Sequence, residues 1–384
     1  MHLVEQLCAA LNATATSVTS GTAPSGTGPA DRGRAVEHHR LVTADGPTVD
    51  VLTGAAPPRR VVVLLPGGGL NVQANFCTAE GRSLAQFLAE HGSLVLGITP
   101  REDTFPADTL ADHGLAAHRR DVLRVVAAVG GTLPYDLLGH SAGAALALDL
   151  AAQPGSGARR VFVLDTTGPY DPAAEPELVA RAEALCTAMR EQLGQGVHTV
   201  DPGLKRLFAA AVAAPEASSG FPRPAEAGGG SFGNLALLHF ALINTRDLPG
   251  PANWIYHRGH SSGSYRFGHD APSDTYLLDR SPFEVWSRAV AALGTGVQPT
   301  ALLRDLAALW AGREEVYRID WAAIRAEVVW LNTAGGRGDH DLGARLIRAG
   351  GAAVDYRVFP GYGHGDLVWA PGAEQEVWPL LLDR

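Results

Sequence analysis

The chain is almost without lysine: Lys205 is the only one in 384 residues, and arginine carries the rest of its basic charge. Acidic residues outnumber basic ones, 40 against 31, for a formal net charge of -9 at pH 7. That balance lacks the basic surface that a phosphate backbone requires, so nucleic acid is excluded as a main partner. Cysteine is scarce too. Cys8, Cys77 and Cys186 are odd in number and stand at no metal-ligand spacing. They build no disulfide framework, and a reducing cytoplasm is the expected setting. No run approaches the ~18 consecutive apolar residues of a membrane span. The opening MHLVEQLCAALNATATS has no basic flank, and Glu5 and Gln6 interrupt its apolar run, which argues against a secretory signal.

What is present describes a folded protein. Hydrophobic residues make up 46% and charged residues 18%, and the length suits one large α/β domain with an insertion, or two domains. Residues 13–35 are rich in Thr, Ser, Gly, Pro and Ala, and residues 1–36 are expected to form a mobile N-terminal segment. From Glu37 the pattern tightens. HHRLVTADGPTVDVLTG reads as two strands about a turn, and RRVVVLLPGGGL as a buried parallel strand running into glycines. A helix near Ala79–Glu90, the strand SLVLGI, a helix through Leu115–Val129, the strand YDLL, a helix at Ala142–Ala152 and the strand RRVFVLDT follow in alternation. Such alternation predicts right-handed crossovers and a mostly parallel sheet covered by helices on both faces. Residues 169–320 break the rhythm: helical stretches at Glu175–Leu193, Pro202–Ala213, Phe283–Leu293 and Thr300–Ala311 stand among Gly- and Pro-rich loops. The sheet resumes with AEVVWLN, a helix from Asp341 to Arg348, the strand AVDYRVF and a terminal helix near Gly372–Leu382. The fold class is therefore α/β, with a core at 37–168 and 321–384 and a mainly helical cap inserted at 169–320.

Three segments fit G-x-S-x-G: GHSAG at Gly139–Gly143, GGSFG at Gly229–Gly233 and GHSSG at Gly259–Gly263. Forty-five glycines make chance matches easy, so context decides. A nucleophile elbow needs a strand before the serine, a helix after it, and glycines where side chains would collide. GHSAG follows the apolar strand Tyr135–Leu138 and precedes the strong helix former ALALDLAAQ. GHSSG precedes SYRFGHDAPSD, which cannot start a helix, and GGSFG has no strand before it. Ser141 is the candidate nucleophile; Ser231 and Ser261 read as loop serines.

This strand–elbow–helix unit resembles the α/β-hydrolase family over Glu37–Gly168 and Glu327–Leu382. The resemblance implies a triad in the order serine, acid, histidine. It places the histidine after the last strand, where VFPGYGHGDLVW presents His364 as the general base. The Tyr362-x-His364-x-Asp366 pattern there is similar to that of bacterial relatives of the acid lipases. The acid is implied after AEVVWLN: in TAGGRGDHD, Asp339 completes a G-x-x-D spacing from Gly336, with Asp341 and Asp165 as alternatives. The oxyanion hole is implied at the Ala142 N–H and in Pro66-Gly67-Gly68-Gly69, from Gly68 or Gly69. PGGGLNVQ lacks the spacing of a dinucleotide loop.

The cap is dense in aromatic residues, among them Trp254, Tyr256, Trp286 and Trp310, which suit either an apolar substrate pocket or the cap's own core. His239, His257, His260 and His269 lack the paired spacing of a zinc site, and neither metal nor cofactor is expected. The arginine bias, with abundant alanine and glycine, is the usage of a GC-rich bacterial genome. These readings converge on a bacterial, cytoplasmic carboxylic ester hydrolase acting on a small or medium apolar ester by way of an acyl-enzyme. A thioesterase or acyltransferase would use the same triad on a thioester, and a non-catalytic small-molecule binding protein is the contrasting class. The sequence leaves a homo-oligomer open.

Overall fold

Val61–Leu65 is a run of apolar residues that a strand can bury only if both faces of its sheet are covered. The run is buried throughout: Val61, Val63 and Leu65 enter one hydrophobic core, and Val62 and Leu64 enter the other. The same division holds for Val161 and Val163 against Phe162 and Leu164. A computed structural model of the chain describes residues 2–18, 36–129 and 134–382. Its main sheet has nine strands: β1 (Ala13–Ser17), β2 (Glu37–Thr43), β3 (Thr48–Thr53), β4 (Arg60–Leu65), β5 (Ser93–Thr99), β6 (Tyr135–His140), β7 (Ala158–Leu164), β8 (Glu327–Thr333) and β9 (Val354–Phe359). Their spatial order is β1-β2-β3-β5-β4-β6-β7-β8-β9, antiparallel from β1 to β5 and parallel from β5 to β9.

The strand order reverses between β4 and β6. At such a switch point the loops leaving two neighbouring strands diverge and open a crevice above their carboxyl ends. The opposite edge of the parallel sheet is closed by charge: Asp136, fully buried at the start of β6, meets Arg60, Arg159 and Arg160. Structural ion pairing thus occupies one end of the strands, and the crevice occupies the other.

Two expectations are corrected. The N-terminal segment is not wholly a mobile arm: His2–Leu11 is helical, with Leu7 and Leu11 in the core, and Ala13–Ser17 pairs with β2. Alternating Ala and Thr reads as low complexity, yet its β-branched residues suffice for an edge strand once a neighbour supplies the ladder. Residues 19–35 of that segment lie outside the described residues. The terminal helix expected near Gly372–Leu382 is also broken, into Ala373–Glu376 and a 3-10 turn at Trp378–Leu381 that contains Pro379, and a further short helix, Asp366–Trp369, precedes Pro371.

Residues 169–320 form helices at Pro176–Gly194, Leu204–Ala213, Asn234–Ile243, Phe283–Ala291 and Thr300–Ala311, with three short antiparallel strand pairs. The helix NLALLHFALI was not anticipated; it is apolar all round and buried from Ala236 to Ile243, so it shows no amphipathic stripe. Among the described residues, no helix is long and apolar enough to cross a membrane.

Candidate active site

Leaving β6, the chain turns into the fully buried helix Ala142–Ala151 through Ser141, whose φ of 57° and ψ of -119° are rare for a residue with a side chain. Such a backbone costs about 1–3 kcal/mol and persists only where the surroundings fix it. Here they do. A Cβ on Gly139 would stand 2.1 Å from the Gly143 carbonyl oxygen, and one on Gly143 would stand 2.0 Å from that of Leu65, so only glycine fits either position. The Ser141 N–H donates to the Leu164 carbonyl at 2.9 Å, tying the turn to the end of β7.

Next along that edge is Asp165, also at positive φ (48°), with its N–H donating to Leu331 O at 2.8 Å. Its fully buried carboxylate accepts from the Thr333 N–H at 2.7 Å, the Thr333 hydroxyl at 3.0 Å and the Arg337 N–H at 3.1 Å. It also accepts from His364 Nδ1 at 2.6 Å. A carboxylate only accepts, so Nδ1 carries the proton and Nε2 keeps the lone pair that a general base needs. Burial pushes the Asp165 carboxyl up to about 6, against the opposing charge of Arg337 and the Thr333 N–H. Burial, then the charge of Arg337, holds His364 well below the usual histidine value, so its ring is neutral near pH 7.

The expectation that Asp339 holds His364 is therefore corrected. Gly338, at φ 74°, turns the loop outward, and Asp339 is exposed beside Tyr356, whose hydroxyl it bonds. Asp341 sits at the start of the helix Leu342–Ala349 and pairs with Arg345 at 2.9 Å. Asp165, the alternative at the end of β7, is the acid that meets the imidazole.

The second GHSSG segment has a different use. The Gly259 and His260 carbonyls accept from the His364 and Gly365 N–H groups at 3.1 and 2.8 Å. Ser261 donates to the buried Asp366 at 3.0 Å, where Ser281 and the Ser262 and Gly363 N–H groups also donate. It is the clamp that fixes the histidine loop. Ser231 lies in a short strand, Ser231–Gly233, paired with Ser218–Pro222.

Across the crevice the glycine loop after β4 reaches the elbow. A Cβ on Gly68 would lie 3.5 Å from Gln298 and 3.6 Å from the Cβ of Ala142, and one on Gly69 would meet Gly296 and Gln298. The Gly67 N–H is taken by Asn75 Oδ1 at 2.9 Å. Among the described residues no hydrogen bond engages the N–H of Gly68, Gly69, Ala142 or Gly143, which leaves donors on both sides of the elbow. Gly67, Gly68, Ala142 and Gly143 also line a pocket whose apolar walls include Ile98, Val122, Leu146 and Leu302. Its polar end holds Glu102 and His118, Nε2 of which meets the carboxylate at 3.0 Å. His113 joins them in a buried group whose ligand atoms lie within 4.8 Å of one another; no sequence spacing announced it.

One residue was missed altogether. Arg337, buried in the loop after β8, sends Nη2 to within 3.5 Å of Ser141 Oγ. Among the described residues that is the only hydrogen bond of the Ser141 hydroxyl, and none joins it to His364. The two nevertheless flank the same guanidinium, and catalytic hydrogen bonds are often unformed before substrate arrives.

No protein-family model matches the sequence, and no curated protein matches it. Among solved structures, a candidate lipase from Sulfolobus solfataricus is similar at a TM-score of 0.59 and 15% identity, over 96% of this chain and 97% of that one. Epoxide hydrolase A from Mycobacterium thermoresistibile is similar at a TM-score of 0.51 and 14% identity, over 90% of this chain and 97% of that one. Identities this low speak to architecture and not to activity. Strand order, elbow and these two likenesses agree: the chain has the α/β-hydrolase fold.

Proposed function

We propose that the chain is a serine hydrolase that cleaves a carboxylic ester of a small or medium substrate through an acyl-enzyme. One observation carries the reading: a strained serine between strand and helix meets a buried guanidinium whose charge also acts on an imidazole held at Nδ1 by a buried carboxylate. In this reading Ser141 Oγ attacks the ester carbonyl while its proton passes to His364 Nε2. Asp165 keeps the tautomer and stabilises the imidazolium. The developing oxyanion accepts from the N–H groups of Ala142 and Gly68, where the start of the helix Ala142–Ala151 adds its positive end. The tetrahedral species collapses, the C–O bond to the alcohol breaks, and His364 returns the proton to the leaving oxygen. Water then gives a proton to His364, adds to the acyl carbon and releases the acid and Ser141.

A fluorophosphonate probe tests this directly. The folded protein should be labelled at Ser141, with labelling lost in Ser141→Ala. Folded wild-type protein that stays unlabelled at millimolar probe would end the reading.

A further inference from the structure

We propose that Arg337 is a carboxylate receptor beside the nucleophile, and that the substrate carries a carboxylate two or three bonds from the carbonyl under attack, as in a half-ester of a dicarboxylic acid. The identity of the bond cut rests on the hydrolase reading above; the charge recognised rests on Arg337 itself.

Arg337 is only 4% exposed, yet its Nε and Nη1 have no hydrogen-bond partner. No carboxylate among the described residues forms an ion pair with it; Asp165, in its field, is already held by His364, Thr333 and a backbone N–H. Buried guanidinium groups in folded proteins are paired, because an uncompensated charge in a low-dielectric site is strongly destabilising. The other buried arginines show the rule: Arg60 and Arg160 meet Asp136, and Arg223 meets Asp274. Arg337 breaks it in the one place where a ligand is expected. Its Cζ lies over Tyr256 at 5.0 Å and Trp310 at 5.3 Å, an aromatic clamp around a fork whose Nε and Nη1 are buried and without a partner.

The geometry sets the class of anion. Nη2 together with either unpartnered nitrogen, Nε or Nη1, makes a planar fork that matches a carboxylate held by two parallel hydrogen bonds. With Nη2 3.5 Å from Ser141 Oγ, a carboxylate accepting at about 2.8 Å and an acyl carbon about 3 Å from Oγ can be joined by two or three bonds when both lie on the same side of that contact. A carboxylate on the fork also draws Nη2 off the serine, which leaves the hydroxyl to His364 Nε2.

The test compares ethyl hydrogen succinate with ethyl 4-methylpentanoate, a neutral substrate of nearly the same shape, by proton release. The wild-type protein should prefer the half-ester by about 100-fold in kcat/KM. In Arg337→Met that ratio should fall toward unity, and Arg337→Lys, which keeps the charge but not the fork, should recover part of it. In parallel, calorimetry should show succinate binding to the Ser141→Ala protein and no binding to the Ser141→Ala/Arg337→Met protein. Serine-dependent cleavage of both esters without preference, or succinate binding indifferent to Arg337, overturns the receptor. If neither ester is cut and the probe does not label, while succinate still binds through Arg337, the hydrolase reading falls and the receptor stands. The wild-type preference and succinate binding to Ser141→Ala decide the matter even should Arg337→Met fail to fold.

Discussion

The loops Gly139–Gly143 and Gly259–Gly263 differ in a single letter, and the fold gives them opposite work. The first bends under strain and turns the buried Ser141 toward a buried cation with unused donors. The second spends its hydroxyl, one of its N–H groups and two of its carbonyls on the loop that carries His364, and it faces a buried anion, Asp366, that accepts four hydrogen bonds. A buried charge whose partners are complete is scaffolding. One whose partners are missing is positioned for something that is not part of the chain. Five letters do not distinguish these outcomes; the backbone on either side and the charge opposite do.

The comparison breaks if the two serines respond alike. Ser141→Ala should remove probe labelling and lower turnover by about 10⁴-fold or more, since the remaining oxyanion donors and binding account for little of the rate. Ser261→Ala should still label, and steady-state kinetics on the two variants is the check. Comparable losses in both would place chemistry at the clamp as well.

Two aspartates sharpen it next. Asp165→Asn should reduce kcat by about 10²–10⁴-fold, because an amide can hold Nδ1 in the wrong tautomer. Asp339→Asn should stay within about twofold of the wild type, because its side chain is exposed and bonds Tyr356 rather than the imidazole. The reverse order would return the acid to the loop after β8.

That pair also marks how far the sequence can be read. The elbow and the histidine loop were legible because each depends on local pattern: an apolar strand, a helix former and glycines around Ser141, and a Gly-rich loop after the last strand around His364. The carboxylate that holds His364 was not, because three aspartates follow strand ends and the choice depends on a left-handed turn at Gly338 that no spacing reveals. A signal was present in VFVLD, where a carboxylate closes a run of buried residues and must find donors there. Arg337 was invisible for a related reason. An arginine between glycines reads as solvated, and only the packing of residues 169–320 against the loop after β8 brings Tyr256 and Trp310 around it. The helix Asn234–Ile243 was missed because burial on all sides erases the period that identifies a helix.

A third perturbation separates scaffold from chemistry. Asp366→Asn replaces a fully buried carboxylate by an amide that brings two donors among four existing ones. It should lower stability by about 2–4 kcal/mol, read as a drop in melting temperature of several degrees. What remains folded should still be labelled at Ser141. A variant with unchanged melting temperature would show that the clamp holds nothing.

The smallest effect lies in the pH profile, where the cation opposite Ser141 leaves a trace that the anion opposite Ser261 cannot. In the proposed mechanism the free base form of His364 is the active one, and protonation removes the lone pair that would accept the serine proton. Burial first and the Arg337 charge second hold that imidazole well below 6.5, so the acid limb of kcat/KM should lie below pH 6.5. Deleting the positive charge in Arg337→Met removes one of the two causes, which makes the imidazolium easier to form. The limb must then move toward higher pH, while Asp366→Asn, whose carboxylate faces the clamp and not the ring, should leave it in place. A limb that stays put in Arg337→Met would mean that the guanidinium does not act on the imidazole, and the contrast between the two buried charges would lose its electrostatic half.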